Sequence, residues 1–320
     1  MLRRTAPILL LVAAMACSAA DAADKVSSLD VRLLSTMLTS NEGYGEWGFA
    51  ALVVADGHRI LFDTGAHPDT VLRNARDLHI DLSNVPDVIL SHHHLDHTAG
   101  LVTLRREYAK SNPAALARAH VGAGIFQSRT DGGAREANTM IATKRDYESA
   151  GGTFIEYSQT REMFPGVWLT GPVPRKYREK NWNPGRMLRL GDGKTTEDNL
   201  PEDQSLVIVT DKGLVVISGC GHAGIVNTLD YARAKIAPAS IYAALGGFHL
   251  YQASDETLAW TASKLKEFGL QNLLGAHCTG VEAVYRLRQL TGLDRKTAAV
   301  GAVGGGFNLA TGLDPGSIAR

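Results

Sequence analysis

The stretch Ser91-His92-His93-His94-Leu95-Asp96-His97 follows an apolar run, Val88-Ile89-Leu90, and gathers four imidazoles and one carboxylate within six residues. Side chains alternate along an extended chain, so His92, His94 and Asp96 are expected on one side, with His97 following at the turn into a helix. Two imidazoles can then hold one cation, while a carboxylate and a further imidazole hold a second a few ångströms away. Such a pair of ions activates water for attack on an ester, phosphoester or amide and stabilises the developing oxyanion. A His-rich surface tract is the bland counterpart. The strand before the run and the aspartate inside it argue against that counterpart.

The surrounding elements must aim these groups. Residues 29–38 and 49–54 read as strands, and the second turns through Asp56-Gly57-His58 into a strand over 59–62 that delivers Asp63-Thr64-Gly65. Asp63 is read as a buried carboxylate that orients the metal loop by hydrogen bonds, with direct ligation as the alternative. A helix is expected over 69–78, with His67 in its capping region, while His58 and His79 are read as structural or solvated. The strand 86–90 ends in the metal loop, and a helix should continue over 98–110. A strand at 117–121 follows, then a polar excursion over 127–152 with a helix at 135–149, then strands at 153–157 and 167–170. The polar stretch 171–199 is either a loop overhanging the site or a plain surface loop.

The second half repeats one pattern. Strands at 205–210 and 214–218 lead into Gly219-Cys220-Gly221-His222-Ala223-Gly224, with a helix from Ile225; 241–245 leads into Gly246-Gly247-Phe248-His249; 272–274 leads into Gly275-Ala276-His277-Cys278. Helices are expected at 254–268 and 281–290. Histidine-bearing loops thus follow four apolar strands. In layered α/β proteins the carboxyl ends of neighbouring strands form one rim, so these loops can share a cleft.

Lys+Arg and Asp+Glu are equal at 33 each in 320 residues, which gives no electrostatic case for nucleic acid or an anionic membrane. A small-molecule substrate is the expected partner. Arg3 and Arg4 precede an apolar run over 8–16 and then Ala20-Asp21-Ala22, the pattern of a signal peptide cleaved after Ala22. Export to a periplasm or beyond is therefore expected, with residues 1–22 as signal and 23–320 as one domain. A lipidated Cys17 is the alternative anchor, and no bilayer-spanning segment is read. Of the three cysteines, Cys220 and Cys278 could pair as a disulfide, but each adjoins a histidine loop, and for Cys220 metal-site placement is the reading taken.

Phe62-Asp63-Thr64-Gly65, the pattern His92-x-His94-x-Asp96-His97 and the isolated downstream histidines resemble the metallo-β-lactamase superfamily. The resemblance covers nearly the whole chain after residue 22. It implies a four-layer αββα sandwich with two divalent metal ions, usually zinc, between the sheets. Glu202-Asp203-Gln204, the segment from Gly219 to Thr228, Gly246-Gly247-Phe248-His249-Leu250 and His277-Cys278-Thr279-Gly280 are similar to one subgroup. Its members are named 7,8-dihydropterin-6-methyl-4-(β-ribofuranosyl)aminobenzene 5′-phosphate synthases or simply metal-dependent hydrolases.

By that resemblance His92 and His94 go to the first metal, and Asp96, His97 and His277 to the second. Cys220 ends the strand where a bridging aspartate is usual, so either its thiolate bridges or His222 binds from two residues on as the missing first-site ligand. Asp203 and Gln204 stand where that ligand is usual and are assigned to substrate. Asp96 is the expected catalytic group, orienting the nucleophile, and His249 is expected to hold an anionic part of the substrate. Hydrolysis is the leading reaction. A methanopterin-type transfer displacing pyrophosphate and a non-catalytic periplasmic metal or ligand binder are the alternatives.

Overall fold

The computed structural model describes residues 24–317. The expected signal segment, with Cys17, lies outside the described residues. Two sheets pack face to face. The first orders its strands Gly312–Asp314, Gly306–Asn308, Leu29–Ser35, Ala50–Ala55, His58–Phe62, Asp87–Leu90, Arg118–Gly122 and Thr153–Tyr157. The second runs Ala298–Val300, Asn272–Gly275, Ile241–Gly246, Gly213–Ser218, Leu206–Thr210, Val167–Leu169 and Arg161–Phe164.

Both faces of each sheet are apolar, and the two-residue period of the strands sorts them. Val31, Leu33, Ala51 and Val53 meet Leu206, Ile208, Val215 and Ile217 of the other sheet in a central core. The alternate residues Leu52, Val88 and Leu90 pack outward on Val71, Leu101 and Tyr147, carried by the helices Thr70–Asp77, Leu101–Tyr108 and Met140–Ser149. On the far side Val207, Leu214 and Val216 meet Leu229, Leu265 and Leu287 from Ile225–Lys235, Asp255–Glu267 and Val281–Thr291. Three cores between four layers make the αββα sandwich. Burial of each such aliphatic side chain contributes about 1.5–3 kcal/mol.

The sheets mirror each other where it matters. Each contains a run of four parallel strands: His58–Phe62 through Thr153–Tyr157 in the first, and Gly213–Ser218 through Ala298–Val300 in the second. Parallel strands put their carboxyl ends on one edge, so the loops after Phe62, Leu90, Ser218, Gly246 and Gly275 come together.

Several expectations are corrected. The helix expected over 98–110 is instead two pieces, Leu95–Thr98 and Leu101–Tyr108, and between them the Thr64 carbonyl crosses so closely that a Cβ on Gly100 would lie 2.3 Å from it. Asp96 comes from a helical turn rather than an extended strand, and His97 lies in the same turn, as expected. The helix expected from 135 begins at Met140 instead. Glu136 accepts the backbone N–H groups of Arg129 and Asn138, and the Asn138 amide holds the carbonyls of Ile125 and Gln127, so these side chains compete with helical bonding. The stretch 171–199 is not all loop. Met187–Arg189 pairs with Thr195–Glu197 and with Arg129–Thr130 from the other polar excursion, forming a three-stranded sheet. The two C-terminal strands on the first sheet were not read from the sequence.

Candidate metal centre

Asp63 holds the metal loop. It sits at the end of His58–Phe62 with φ of 57°, fully buried. Its Oδ1 accepts the Ser91 N–H at 2.7 Å, and its Oδ2 accepts Ser91 Oγ at 2.8 Å and His97 Nδ1 at 2.7 Å. The carbonyls of Asp96 and His97 are taken by the N–H groups of Phe49 and Thr64, and that of Ser91 by Gln204. The loop is thus pinned from several sides before any ion arrives.

These bonds fix the imidazoles. Ser91 Oγ donates to Asp63, so it accepts from His92 Nδ1 at 2.9 Å and leaves Nε2 of His92 buried without a partner. Nδ1 of His222 donates to the Asn181 carbonyl, leaving its Nε2 buried and unpartnered as well. Neither ring nitrogen of His277 has a hydrogen-bond partner, and its Nε2 lies 3.3 Å from Asp96 Oδ2. His97 turns Nε2 to within 3.1 Å of Cys220 Sγ. A buried polar nitrogen without a partner is costly, and several aimed into one space mark a site for an electrophile.

Ligand-type atoms of His92, His94 and Asp96 lie within 4.8 Å of one another, as do those of Asp96, His97, Cys220 and His277. His92, Cys220 and His222 form a third such group, and Cys220, His249 and Cys278 a fourth. The rings of His92, His94 and His222 make a triangle with centroids 4.6 to 4.9 Å apart. By ligand-type atoms His222 joins His92 and Cys220 rather than His94. The set of imidazole, carboxylate and thiolate fits zinc-type ions.

Electrostatics keep these groups ready. Burial, together with repulsion from the neighbouring rings, pushes His92 and His222 well below the usual imidazole range and His94 down to about 3, so all three stay neutral. Burial opposes charge on His97, but the Asp63 and Asp96 carboxylates outweigh it and raise it to about 9. Burial also opposes charge on Asp96, and His97 and His277 reverse this, holding it well below the carboxylate range. Burial pushes the Cys220 thiol up. An incoming divalent ion would displace the protons of His97 and Cys220.

The family described as the Metallo-beta-lactamase superfamily matches residues 48–237. The chain belongs to that superfamily. It is 33% identical over 229 residues, 70% of this chain and 76% of the relative, to a protein of Methanocaldococcus jannaschii named 7,8-dihydropterin-6-methyl-4-(beta-D-ribofuranosyl)-aminobenzene-5'-phosphate synthase. An uncharacterized protein of the same organism is 29% identical over 265 residues, covering 81% of this chain and 94% of its own. Among solved structures, Tm1679, a metal-dependent hydrolase of the beta-lactamase superfamily, superposes with a TM-score of 0.67 at 28% identity, over 82% of this chain and 93% of that one. YhfI from Bacillus subtilis, at 13% identity and a TM-score of 0.53, shares the fold over 88% of this chain and 98% of its own.

Within this superfamily member the expected substrate residues Asp203 and Gln204 are corrected. Both are buried, and neither lines the two cavities beside the cluster. The Gln204 amide donates to the carbonyls of Leu90 and His120, at 3.1 and 3.2 Å, and Asp203 Oδ2 accepts the Ala223 N–H at 2.9 Å. They position the two ligand-bearing loops. Burial, opposed by the Ala223 N–H and Arg175, raises Asp203 to about 7.

Two cavities flank the cluster. One of about 360 Å³ is lined by His94, Asp96, Asn183 and Arg186. The other, about 1010 Å³, is lined by Arg178, Lys180, Trp182, His249, Tyr251 and Trp260. His249 lies at the wall of the larger one, with its ring 4.7 Å from that of His222. The polar stretch 171–199 supplies Asn181, Trp182 and Asn183 between them and so does reach the site. Sequence reasoning missed Asn181, which acts through a backbone carbonyl that no side-chain pattern reveals. It also missed Arg129, buried between Asp198 at 2.8 Å and Glu202 at 2.7 Å, and through Glu202 linked to His93. The conspicuous Glu202-Asp203-Gln204 segment was the only hint of that network.

Proposed function

We propose that this protein is an exported metal-dependent hydrolase that cleaves an ester, phosphoester or amide bond in a small, anionic molecule. The observation that carries this is the pair of unpartnered buried nitrogens on His92 and His222, gathered with Asp96, His97, Cys220 and His277 in overlapping ligand groups. His92 and His222 would hold one divalent ion, with the His94 ring beside them, and Asp96, His97, His277 and Cys220 the other. Two such ions, zinc by donor type, supply Lewis acidity and lower the pKa of water. Asp96 belongs to both loop-derived groups and so can orient a water by its second oxygen while it ligates. His249 faces the larger cavity, where Arg178 and Lys180 add positive charge that suits an anionic substrate group.

Metal analysis of protein purified from its own compartment, coupled to a panel of phosphoesters, carboxyl esters and lactams, tests this. About two zinc ions per chain and turnover on at least one class are expected. Zinc uptake without turnover on any member would sink hydrolysis in favour of a binding protein. The 33% identical relative named as a synthase favours a second reading, transfer with displacement of pyrophosphate. Product analysis separates the two: incorporation of water oxygen means hydrolysis, and a new bond to an acceptor means transfer. Export rests on Arg3, Arg4, the apolar run and Ala20-Asp21-Ala22, and the mass of the mature N-terminus checks it.

A further inference from the structure

Cys220 and Cys278 meet across a strand. They follow Gly213–Ser218 and Asn272–Gly275, which lie on either side of Ile241–Gly246. The middle strand runs into Gly246-Gly247, and a Cβ on Gly247 would lie 1.9 Å from the Gly219 carbonyl oxygen and 2.9 Å from Cys278 Sγ. Only glycine there leaves Cys278 Sγ its place beside the Gly219 carbonyl. The two sulfurs approach to 3.2 Å, both buried and both free thiols. The His249 N–H donates to Cys278 Sγ at 3.3 Å, which holds that sulfur in place. A disulfide needs about 2.0 Å, so side-chain rotations closing about 1 Å between the sulfurs suffice.

We propose that Cys220 and Cys278 are a modification site, a dithiol that hydrogen peroxide converts reversibly to a disulfide. The oxidant is chosen by size: neither sulfur is open to solvent, and a peroxide is little larger than the water the cleft must admit. In the first step the Cys278 sulfur takes one peroxide oxygen, the O–O bond breaks and water leaves, giving a sulfenic acid. In the second the Cys220 sulfur attacks that sulfur, the S–O bond breaks and a second water leaves. Two thiols have lost two hydrogens and peroxide has become two waters.

The consequence for metal rests on the proposed function, in which Cys220 faces an ion. A disulfide sulfur is no thiolate, so oxidation weakens the position shared by Asp96, His97 and His277. By reciprocity, a bound ion protects the pair from oxidation.

The test treats the metal-free full-length chain with hydrogen peroxide and maps the products by mass. A linked peptide pair containing Cys220 and Cys278, about 2 Da lighter than the two reduced peptides together, is expected in the wild type and is reversed by dithiothreitol. It must be absent in Cys278→Ser. A chain whose circular dichroism remains native but which forms no such link overturns the disulfide. Zinc uptake is then measured on oxidised and reduced chains: loss of roughly one ion per chain on oxidation is expected, and undiminished uptake overturns the coupling. If neither form takes up zinc, the metal centre itself fails while the linked peptide still stands, so the two ideas fail separately.

Discussion

The loop carrying residues 91–97 and the three loops after Ser218, Gly246 and Gly275 build one centre in opposite ways. The first packs His92, His94, Asp96 and His97 into a single turn, pinned by Asp63, Phe49, Thr64 and Gln204. The others each bring one or two groups, and each depends on special backbone: His249 and His277 have φ of 49° and 46°, a region that strains residues with a Cβ. A dense loop sets where ions can sit, and dispersed loops decide which groups meet them from the far side. Asp96 takes part in two ligand groups on the dense side, whereas Cys220 takes part in three on the dispersed side.

This contrast can be broken by substitution. The largest effect is expected from Asp96→Ala, which removes the carboxylate shared by two ligand groups: turnover should fall by at least about 10²–10³-fold, while the circular dichroism of the chain stays native. Retained activity would mean that the dense loop does not set the chemistry. His222→Ala and His277→Ala should each strip only one ion, leaving about one zinc per chain by elemental analysis, because they lie in different ligand groups. Loss of both ions from either variant would show that the dispersed loops, not the dense one, govern binding.

Asp63→Asn tests the pins rather than the ligands. It takes the charge from the carboxylate that orients His97, and zinc affinity measured by competition with a chelator should weaken about 10–100-fold. The smallest effect is expected at Glu179, whose carboxylate accepts the N–H groups of Val226 and Asn227 where the helix after His222 starts. Burial, opposed by those bonds and Arg175, raises it from 4.5 to about 7. The folded state therefore holds the proton more tightly than the unfolded one, and this group's stabilisation is full below pH 4.5 and is lost as pH rises towards about 7. Glu179→Gln removes that loss. Thermal melts of the metal-free proteins should show the variant gaining on the wild type across this window.

The dense loop was legible because ligands and spacing sit together in the sequence, and the sandwich followed from the resemblance those residues carry; strands such as Leu206–Thr210 and Gly213–Ser218, buried along their whole length, fit it. The rim of histidines could be read from strands ending in glycine-rich turns. What stayed hidden acts at long range or through the main chain. The Asn181 carbonyl and the Arg129 network depend on partners separated by tens of residues, and no local period announces them. Asp203 and Gln204 were assigned to substrate from their place in the chain order. Their burial and bonding, which only tertiary contacts reveal, make them struts instead.

The small three-stranded sheet carries a lesson for anyone who would rebuild specificity. Arg129–Thr130 from one insertion and Met187–Arg189 from another share a ladder, and Arg129 reaches on to Asp198 and Glu202. The two insertions behave as a single graft. A chimera that borrows only the first from a related protein would strand Asp198 and Glu202 without Arg129, and one that borrows only the second would take Asp198 from it, whereas transplanting both together keeps the canopy whole.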